Sequence, residues 1–404
     1  MLIAGEASGD MLAAELVRAL REEVAQAEVS SSTDYQPLRA SLEPRFFGAG
    51  GPRMAAEGVD LAFDMTVHSV IGLSEAARNY LKFRRLFRQL FQLALERQPD
   101  AIICVDFSGF NRRFANAVRQ YARAHADWFH VWAPKLIQYV SPQVWASREG
   151  RAYQMARDYD LVLSIFPFEK EWYAKRVPQL AVEFIGHPMV DRYGEGRGAR
   201  GEGRGDQKAP LLLLLPGSRP DELRRHLPVM IGAWELIYAK AHHLRARMVL
   251  PRESLAQQAR ALGLPVRVAV QAGGLPESLA EAEVAIASTG TVTTECAYFG
   301  VPTVALYKTS WSTWQIAKRI VKVKYAAMPN LLANEAIFPE FIQAVATPDR
   351  LAQAALELLR DAPRRARIKA RLAEVVASLG APGAARRAAK VIFQTMKPRL
   401  EITR

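Results

Sequence analysis

Leu211-Leu-Leu-Leu-Leu215-Pro-Gly-Ser-Arg219 runs directly into a helix-period segment. Five consecutive apolar residues that stop at Pro-Gly read as a strand buried on both faces, the kind found in parallel sheets covered by helices. Gly217 lets a ligand approach the backbone, while Ser218 and the helix N–H groups can bond phosphate oxygens. Arg219 offers a permanent, fork-shaped cation.

The same unit of strand, small-residue turn and helix recurs on both sides. Ahead of it, Met1 to Ala4, Arg45 to Gly48, Ala101 to Asp106, Leu136 to Val140, Leu161 to Ile165 and Val182 to Ile185 read as strands. Helical patterns at Asp10 to Gln26, Ala76 to Gln98 and Arg112 to Ala126 separate them. Behind it come Arg247 to Leu250, Val266 to Val270, Val284 to Ala287 and Thr303 to Tyr307. Between the two series lies Tyr193 to Gln207 (YGEGRGARGEGRGDQ), whose six glycines read as a linker or exposed loop. The expected fold class is α/β, with two Rossmann-like domains facing across a cleft. The boundaries are 1–190, a Gly-rich stretch 191–208, 209–380, and a basic C-terminal helix or tail 381–404.

Composition narrows the function classes. With 404 residues, 50% hydrophobic and 24% charged, the chain reads as an ordinary globular protein. No unbroken apolar run exceeds the five of Leu211–Leu215, against roughly 18 for a spanning helix. Gly5, Glu6 and Asp10 interrupt the opening segment, so no secretory signal is visible and a cytoplasmic location is expected. Cys104 and Cys296 lie far apart, which supports neither a disulfide framework nor a metal cage; no metal or cofactor is expected. The net charge of +13 is concentrated at the end, where 360–404 carries 12 basic and 3 acidic residues. No recognition-helix, zinc-finger or RNA-binding signature accompanies that charge, so nucleic acid is not an expected partner. Asn79 to Leu95 is a basic amphipathic helix, with Lys82, Arg84, Arg85 and Arg88 beside Phe83, Leu86, Phe87 and Leu90. It reads either as a core-packing helix with a solvated charged face or as a membrane-surface element.

In open α/β sheets ligands bind beyond the carboxyl ends of strands. Four turns there are candidates. Gly5-Glu-Ala-Ser8-Gly9-Asp10 offers small residues before a helix N-terminus, and reads equally as a tight turn in which Asp10 caps its own helix. Asp106, ending a buried strand, could accept a proton from a hydroxyl, or serve as a cap or ion-pair partner. Gly217-Ser218-Arg219 and Ser288-Thr289-Gly290-Thr291, with Glu295 one turn further on, together suit a nucleoside diphosphate. The hydroxyls and N–H groups would hold phosphate and the glutamate would accept ribose hydroxyls. Among the histidines, His187 reads as a hinge residue as readily as a chemical one, and His242 and His243 as helix-surface residues.

The ordered blocks Ile3-Ala-Gly-Glu-Ala-Ser-Gly-Asp10, Gly50-Gly-Pro-Arg-Met54, Tyr139-Val-Ser-Pro142, Phe166-Pro-Phe-Glu-Lys170, Phe184-Ile-Gly-His-Pro188, Leu215-Pro-Gly-Ser-Arg219, Ser288-Thr-Gly-Thr291 with Glu295, and Met328-Pro-Asn-Leu-Leu-Ala333 resemble the lipid-A-disaccharide synthases, bacterial glycosyltransferases. The resemblance spans nearly the whole chain. It implies a GT-B architecture with a C-terminal helix crossing back to the first domain. It also implies transfer of 2,3-diacylglucosamine from UDP-2,3-diacylglucosamine to the 6-hydroxyl of 2,3-diacylglucosamine 1-phosphate, with inversion and without a metal. By the same resemblance Asp106, Arg219 and Asn330 are catalytic. Gly217, Ser218, Ser288 to Thr291, Glu295 and, more weakly, Gln343 serve the nucleotide. Ser8, Gly9, Asp10, Val70, Ile71, Leu73, Arg84, Arg85 and Arg88 face the acceptor and lipid, which favours the membrane reading of the basic helix.

A second surface stretch is Trp311 to Tyr325. The implied partners are donor, acceptor and an anionic membrane at the inner face of the bacterial inner membrane; a homodimer is left open. Departures are Phe107-Ser-Gly-Phe-Asn111, where the family shows Ala-Pro-Asp-Phe-Asn, and Trp145-Ala-Ser-Arg148, where it shows Trp-Ala-Trp-Arg. Val29 to Pro44, Asp127 to Pro134 and Tyr193 to Gln207 read as insertions. The alternatives are another UDP-sugar enzyme of this architecture, a peptidoglycan glycosyltransferase or UDP-sugar 2-epimerase, and a basic nucleic-acid-binding protein.

Overall fold

The computed structural model describes residues 1–30, 44–68, 80–126, 128, 131–194, 209–265 and 267–396. Val70, Ile71 and Leu73, most of the Gly-rich stretch and the greater part of the first expected insertion lie outside them. The chain forms two compact units, one of Met1–Asp191 with Gly380–Arg404 and one of Arg192–Leu379.

The first unit holds a seven-stranded parallel sheet of β1 (Leu2–Ala4), β2 (Phe47–Gly50), β3 (Asp60–Asp64), β4 (Ala101–Val105), β5 (Lys135–Tyr139), β6 (Leu161–Ser164) and β7 (Ala181–Phe184). The spatial order is β3-β2-β1-β4-β5-β6-β7. The central strands are the continuous apolar runs of the sequence, because helices cover both of their faces. The edge strand β3 escapes that reading, since Asp60 and Ala62 remain exposed and no apolar run marks it. On one face Leu86, Leu90 and Ala94 of the helix Tyr80–Arg97 join Phe114 and Ile102 in the core. On the other, Leu16 and Leu20 of the helix Ala7–Ser30 meet Ala388 and Ile392 of the C-terminal helix Ala384–Met396.

That C-terminal helix belongs to the first unit for identifiable reasons. Asp191 accepts the N–H groups of Gly383 and of Ala384, the latter at 2.8 Å, a carboxylate placed at a helix N-terminus where it is favoured. Arg387 donates to the Ile185 carbonyl at 2.7 Å. Gly380, at φ +92°, sits where an added Cβ would come within 3.2 Å of Gly186. Burial of Ile392 alone contributes about 1.5–3 kcal/mol.

The second unit holds a six-stranded parallel sheet of β8 (Leu211–Leu215), β9 (Arg245–Leu250), β10 (Val268–Ala272), β11 (Val284–Ser288), β12 (Thr303–Tyr307) and β13 (Glu340–Ile342), ordered β10-β9-β8-β11-β12-β13. The helix Pro220–Lys240 buries Leu223, Leu227, Met230, Trp234 and Ile237, and packs on Pro348–Arg360. The short edge strand β13 is the other one that apolar runs do not reveal.

Candidate active site

In each sheet the strand order reverses once, between β1 and β4 and between β8 and β11. There the connections diverge to opposite sides and leave a crevice beyond the carboxyl ends. All four candidate turns fall at these two points.

In the first unit the turns after β1 and β4 touch, since a Cβ on Gly5 would lie 2.3 Å from the Phe107 ring. Asp106 and Phe107 are consecutive left-handed residues, φ +47° and +43°. Such a conformation costs about 1–3 kcal/mol per residue and persists only where the surroundings over-determine it. Here the Asp106 N–H donates to the Tyr139 carbonyl at 2.9 Å. The Asp106 carbonyl accepts from Asn111 Nδ2 at 2.9 Å and from Gln138 Nε2 at 3.4 Å, both amides being buried.

Asp10 does not cap its own helix. Its buried carboxylate accepts the N–H groups of Gly51 at 2.8 Å, Arg53 at 3.0 Å and Met54 at 3.1 Å. It therefore caps the neighbouring helix Pro52–Ala56 rather than its own. Gly51 is demanded by this contact, as a Cβ would stand 2.7 Å from Asp10 Oδ2. Gly9 is buried and Ser8 is exposed.

In the second unit Gly217 adopts φ +123° and Ser218 N–H donates to Glu222 Oε2 at 3.0 Å. Arg219 is 72% exposed, with Glu222 Oε1 3.8 Å from its Nη1. Across the reversal, Ser288 ends β11 and is buried, whereas Gly290 and Thr291 are exposed. Gly290 has φ +128° and nothing within 4 Å of the place a Cβ would take, so a ligand can approach its backbone. Glu295, half-buried one turn into the helix Thr291–Tyr298, accepts a hydrogen bond from the Tyr193 hydroxyl at 2.9 Å. Burial pushes its carboxyl above the ordinary range, against the Tyr193 bond and the Arg192 charge.

A family model described as Lipid-A-disaccharide synthetase matches residues 1–394. The chain belongs to the lipid-A-disaccharide synthetase family. It is 35% identical to the lipid-A-disaccharide synthase of Alkalilimnicola ehrlichii over 95% of this chain and 96% of the relative, and 34% identical to that of Myxococcus xanthus over 98% and 97%. Solved structures confirm the fold. The glycotransferase of kitacinnamycin superposes with TM-score 0.59 at 18% identity over 98% of each chain. The S. aureus MnaA–UDP co-structure does so with TM-score 0.59 at 12% identity over 98% of this chain and 96% of that one. The fold is GT-B, as expected from the lipid-A-disaccharide synthetase resemblance.

Two further family positions are bonded within the protein. Asn330 is fully buried and bonded within the protein: Nδ2 donates to the Phe338 carbonyl at 2.8 Å and to Glu340 Oε1 at 2.7 Å, while Oδ1 accepts the Phe338 N–H at 2.8 Å. Asn330 thus pins the segment before β13. Gln343, at φ +58°, pairs its side-chain amide with the backbone of Thr309. It braces the turn after β12 from within the protein.

The residue that sequence reasoning missed is His226. Fully buried, it places Nδ1 2.7 Å from the Pro216 carbonyl and accepts the Lys308 N–H on Nε2 at 2.9 Å. Those partners require the neutral Nδ1–H tautomer, and burial lowers the ring's pKa in the same sense. His226 thus ties the arginine turn to β12, and Lys308 Nζ continues to the Gln343 and Ala346 carbonyls. The available signal was a lone histidine on the apolar face Leu223, Leu227, Met230. At His187, Nδ1 accepts the Met189 N–H at 3.2 Å.

Glu169 joins two further lipid-A-disaccharide synthetase blocks. It accepts Trp145 Nε1–H at 2.9 Å and Phe166 N–H at 3.2 Å, and burial pushes its carboxyl up to about 7, against those bonds. A raised carboxyl favours folding only while protonated, so its contribution falls as pH rises from about 4.5 to about 7. Relative to Glu169→Gln, the wild type is expected to lose about 3 kcal/mol of unfolding free energy across that window. Urea unfolding followed by tryptophan fluorescence at several pH values reads this; a pH-independent difference between the two proteins would sink it.

The basic helix settles differently from the membrane expectation as regards its apolar face. Phe83, Leu86, Phe87, Leu90 and Ala94 pack into the first unit's core, and Phe87 meets Phe110 and Phe114 edge-on at 5.5 Å. Lys82, Arg84, Arg85 and Arg88 are exposed. The helix Trp311–Ile320 has no buried residue, and Trp311, Ile316 and the following Val321 are exposed near Lys318 and Arg319.

Proposed function

We propose that this chain transfers the 2,3-diacylglucosaminyl group of UDP-2,3-diacylglucosamine to the 6-hydroxyl of 2,3-diacylglucosamine 1-phosphate, giving the β-1′,6-linked disaccharide phosphate and UDP. The observation that carries this reading is the placement of the family's Asp106 and Arg219 turns, each at the order reversal of its own sheet. Asp106 acts as the base that takes the acceptor hydroxyl proton, and its over-determined turn holds the carboxylate in place without reorganisation. Arg219 neutralises the departing diphosphate, with the N–H groups beyond Gly290 and the Thr291 hydroxyl. Glu295 receives the ribose hydroxyls. The test is UDP release from the donor with and without acceptor, EDTA present, and the product weighed by mass spectrometry. Acceptor-dependent release of the disaccharide phosphate supports the reading, and UDP binding without product across several acyl lengths would refute it.

The chain also docks on anionic lipid at the inner face of the inner membrane. The support is the exposed basic row of Arg84, Arg85 and Arg88 and the exposed tryptophan-and-lysine helix Trp311–Ile320. Among the described residues no helix is long and apolar enough to span a bilayer. Changing all three arginines to Glu is expected to cut binding to phosphatidylglycerol-containing vesicles by about tenfold or more at low salt, at about 1 kcal/mol per basic residue. Trp311→Ser with Ile316→Ser should lower it independently. Vesicle flotation measures both; unchanged binding in both variants would remove the membrane reading.

A further inference from the structure

The Tyr193–Glu295 hydrogen bond has no place in the chemistry described so far. Tyr193 ends the helix Pro188–Tyr193, and its ring is held edge-on by Phe299 at 5.2 Å and against Tyr298 at 5.6 Å. The ring is therefore fixed by the residues that close the glutamate's own helix. Its hydroxyl donates to Glu295 Oε1 at 2.9 Å. Among the described residues no second donor reaches that carboxylate. An ionised carboxylate offers about four acceptor positions, so a half-buried one with a single donor retains unused acceptor capacity. Donors in a pair, spaced as on a ribose, would complete it.

We propose that Tyr193 is a positioning residue for sugar recognition. Its hydroxyl locks the Glu295 carboxylate so that the remaining oxygen meets the 2′- and 3′-hydroxyls of a ribonucleoside diphosphate, which gives the chain its preference for ribo- over deoxyribonucleotides. This rests on the assignment of Glu295 to the ribose. A carboxylate free to rotate would still accept hydroxyls, but would lose geometry specific to the diol; Tyr193→Phe removes one oxygen and keeps the ring packing.

The experiment is calorimetric binding of UDP and of 2′-deoxy-UDP to the wild-type chain, Tyr193→Phe and Glu295→Gln, with thermal unfolding of each. Wild type is expected to favour UDP by about tenfold or more, one charge-assisted hydrogen bond. Glu295→Gln should erase most of that preference. Tyr193→Phe should weaken UDP about three- to tenfold while 2′-deoxy-UDP changes by less than about twofold. If wild type and Glu295→Gln behave so but Tyr193→Phe keeps the full preference, or weakens both ligands equally, the role of Tyr193 is overturned and the ribose assignment stands. If wild type binds both ligands equally, or Glu295→Gln keeps the preference, the ribose assignment itself fails.

Discussion

Asp106→Asn is expected to lower kcat by about 10²- to 10⁴-fold, the usual worth of a positioned general base, while UDP affinity stays within about twofold. The substitution isolates basicity. The bonds from Asn111 and Gln138 and to Tyr139 go to the backbone of residue 106, so asparagine keeps each of them. Asparagine also tolerates the left-handed φ of +47° better than other non-glycine residues, so the turn keeps its shape. Asp106→Ala is the harsher comparison, because alanine carries the full left-handed penalty. Turnover by single-turnover kinetics and UDP binding by calorimetry separate the outcomes. Retained turnover would remove Asp106 from proton transfer, and a parallel fall in UDP affinity would place it on the nucleotide instead.

Arg219→Ala should weaken UDP binding by about 10- to 100-fold, corresponding to the loss of one charge-assisted, two-pronged contact, and lower kcat by a further factor of about 10² as leaving-group charge goes unneutralised. The fold should not suffer, since the side chain is exposed and, among the described residues, its one ion-pair partner is Glu222 at 3.8 Å. Removing the guanidinium also leaves Glu222, bonded to Ser218 N–H, as an uncompensated negative charge beside the diphosphate. Uridine, which lacks phosphate, should bind the variant and the wild type alike. Arg219→Lys should restore part of the UDP affinity but little of the rate, because an ammonium is a point charge without the fork. Unchanged UDP affinity in Arg219→Ala would confine the arginine to the transition state; weakened uridine binding would mean that the turn itself had been disturbed.

Much of this is written locally. Central strands such as Leu211–Leu215 and Ala101–Val105 are buried on both faces and so must be continuous apolar runs, which a linear reading finds directly. The turns that follow them need glycine, hydroxyl and charged residues in a set order, so Gly217 to Arg219 and Ser288 to Thr291 are visible for the same reason. Of the four edge strands, β3 and β13 are not, because neither has a fully buried residue and no apolar run is demanded of them.

What the amino-acid order determines by itself is therefore the alternation of strand, turn and helix, the family, and the turn residues that carry charge and hydroxyl groups to the sheet ends. Tertiary structure decides which polar side chains are consumed in holding those turns. Asp10 goes to a helix 41 to 44 residues away, Asn330 to Phe338 and Glu340, His226 to Lys308, and the apolar face of the basic helix to the core. The reason is physical: a buried polar group must find a partner wherever packing brings one, and that partner is set by the order of strands in the sheet rather than by distance along the chain.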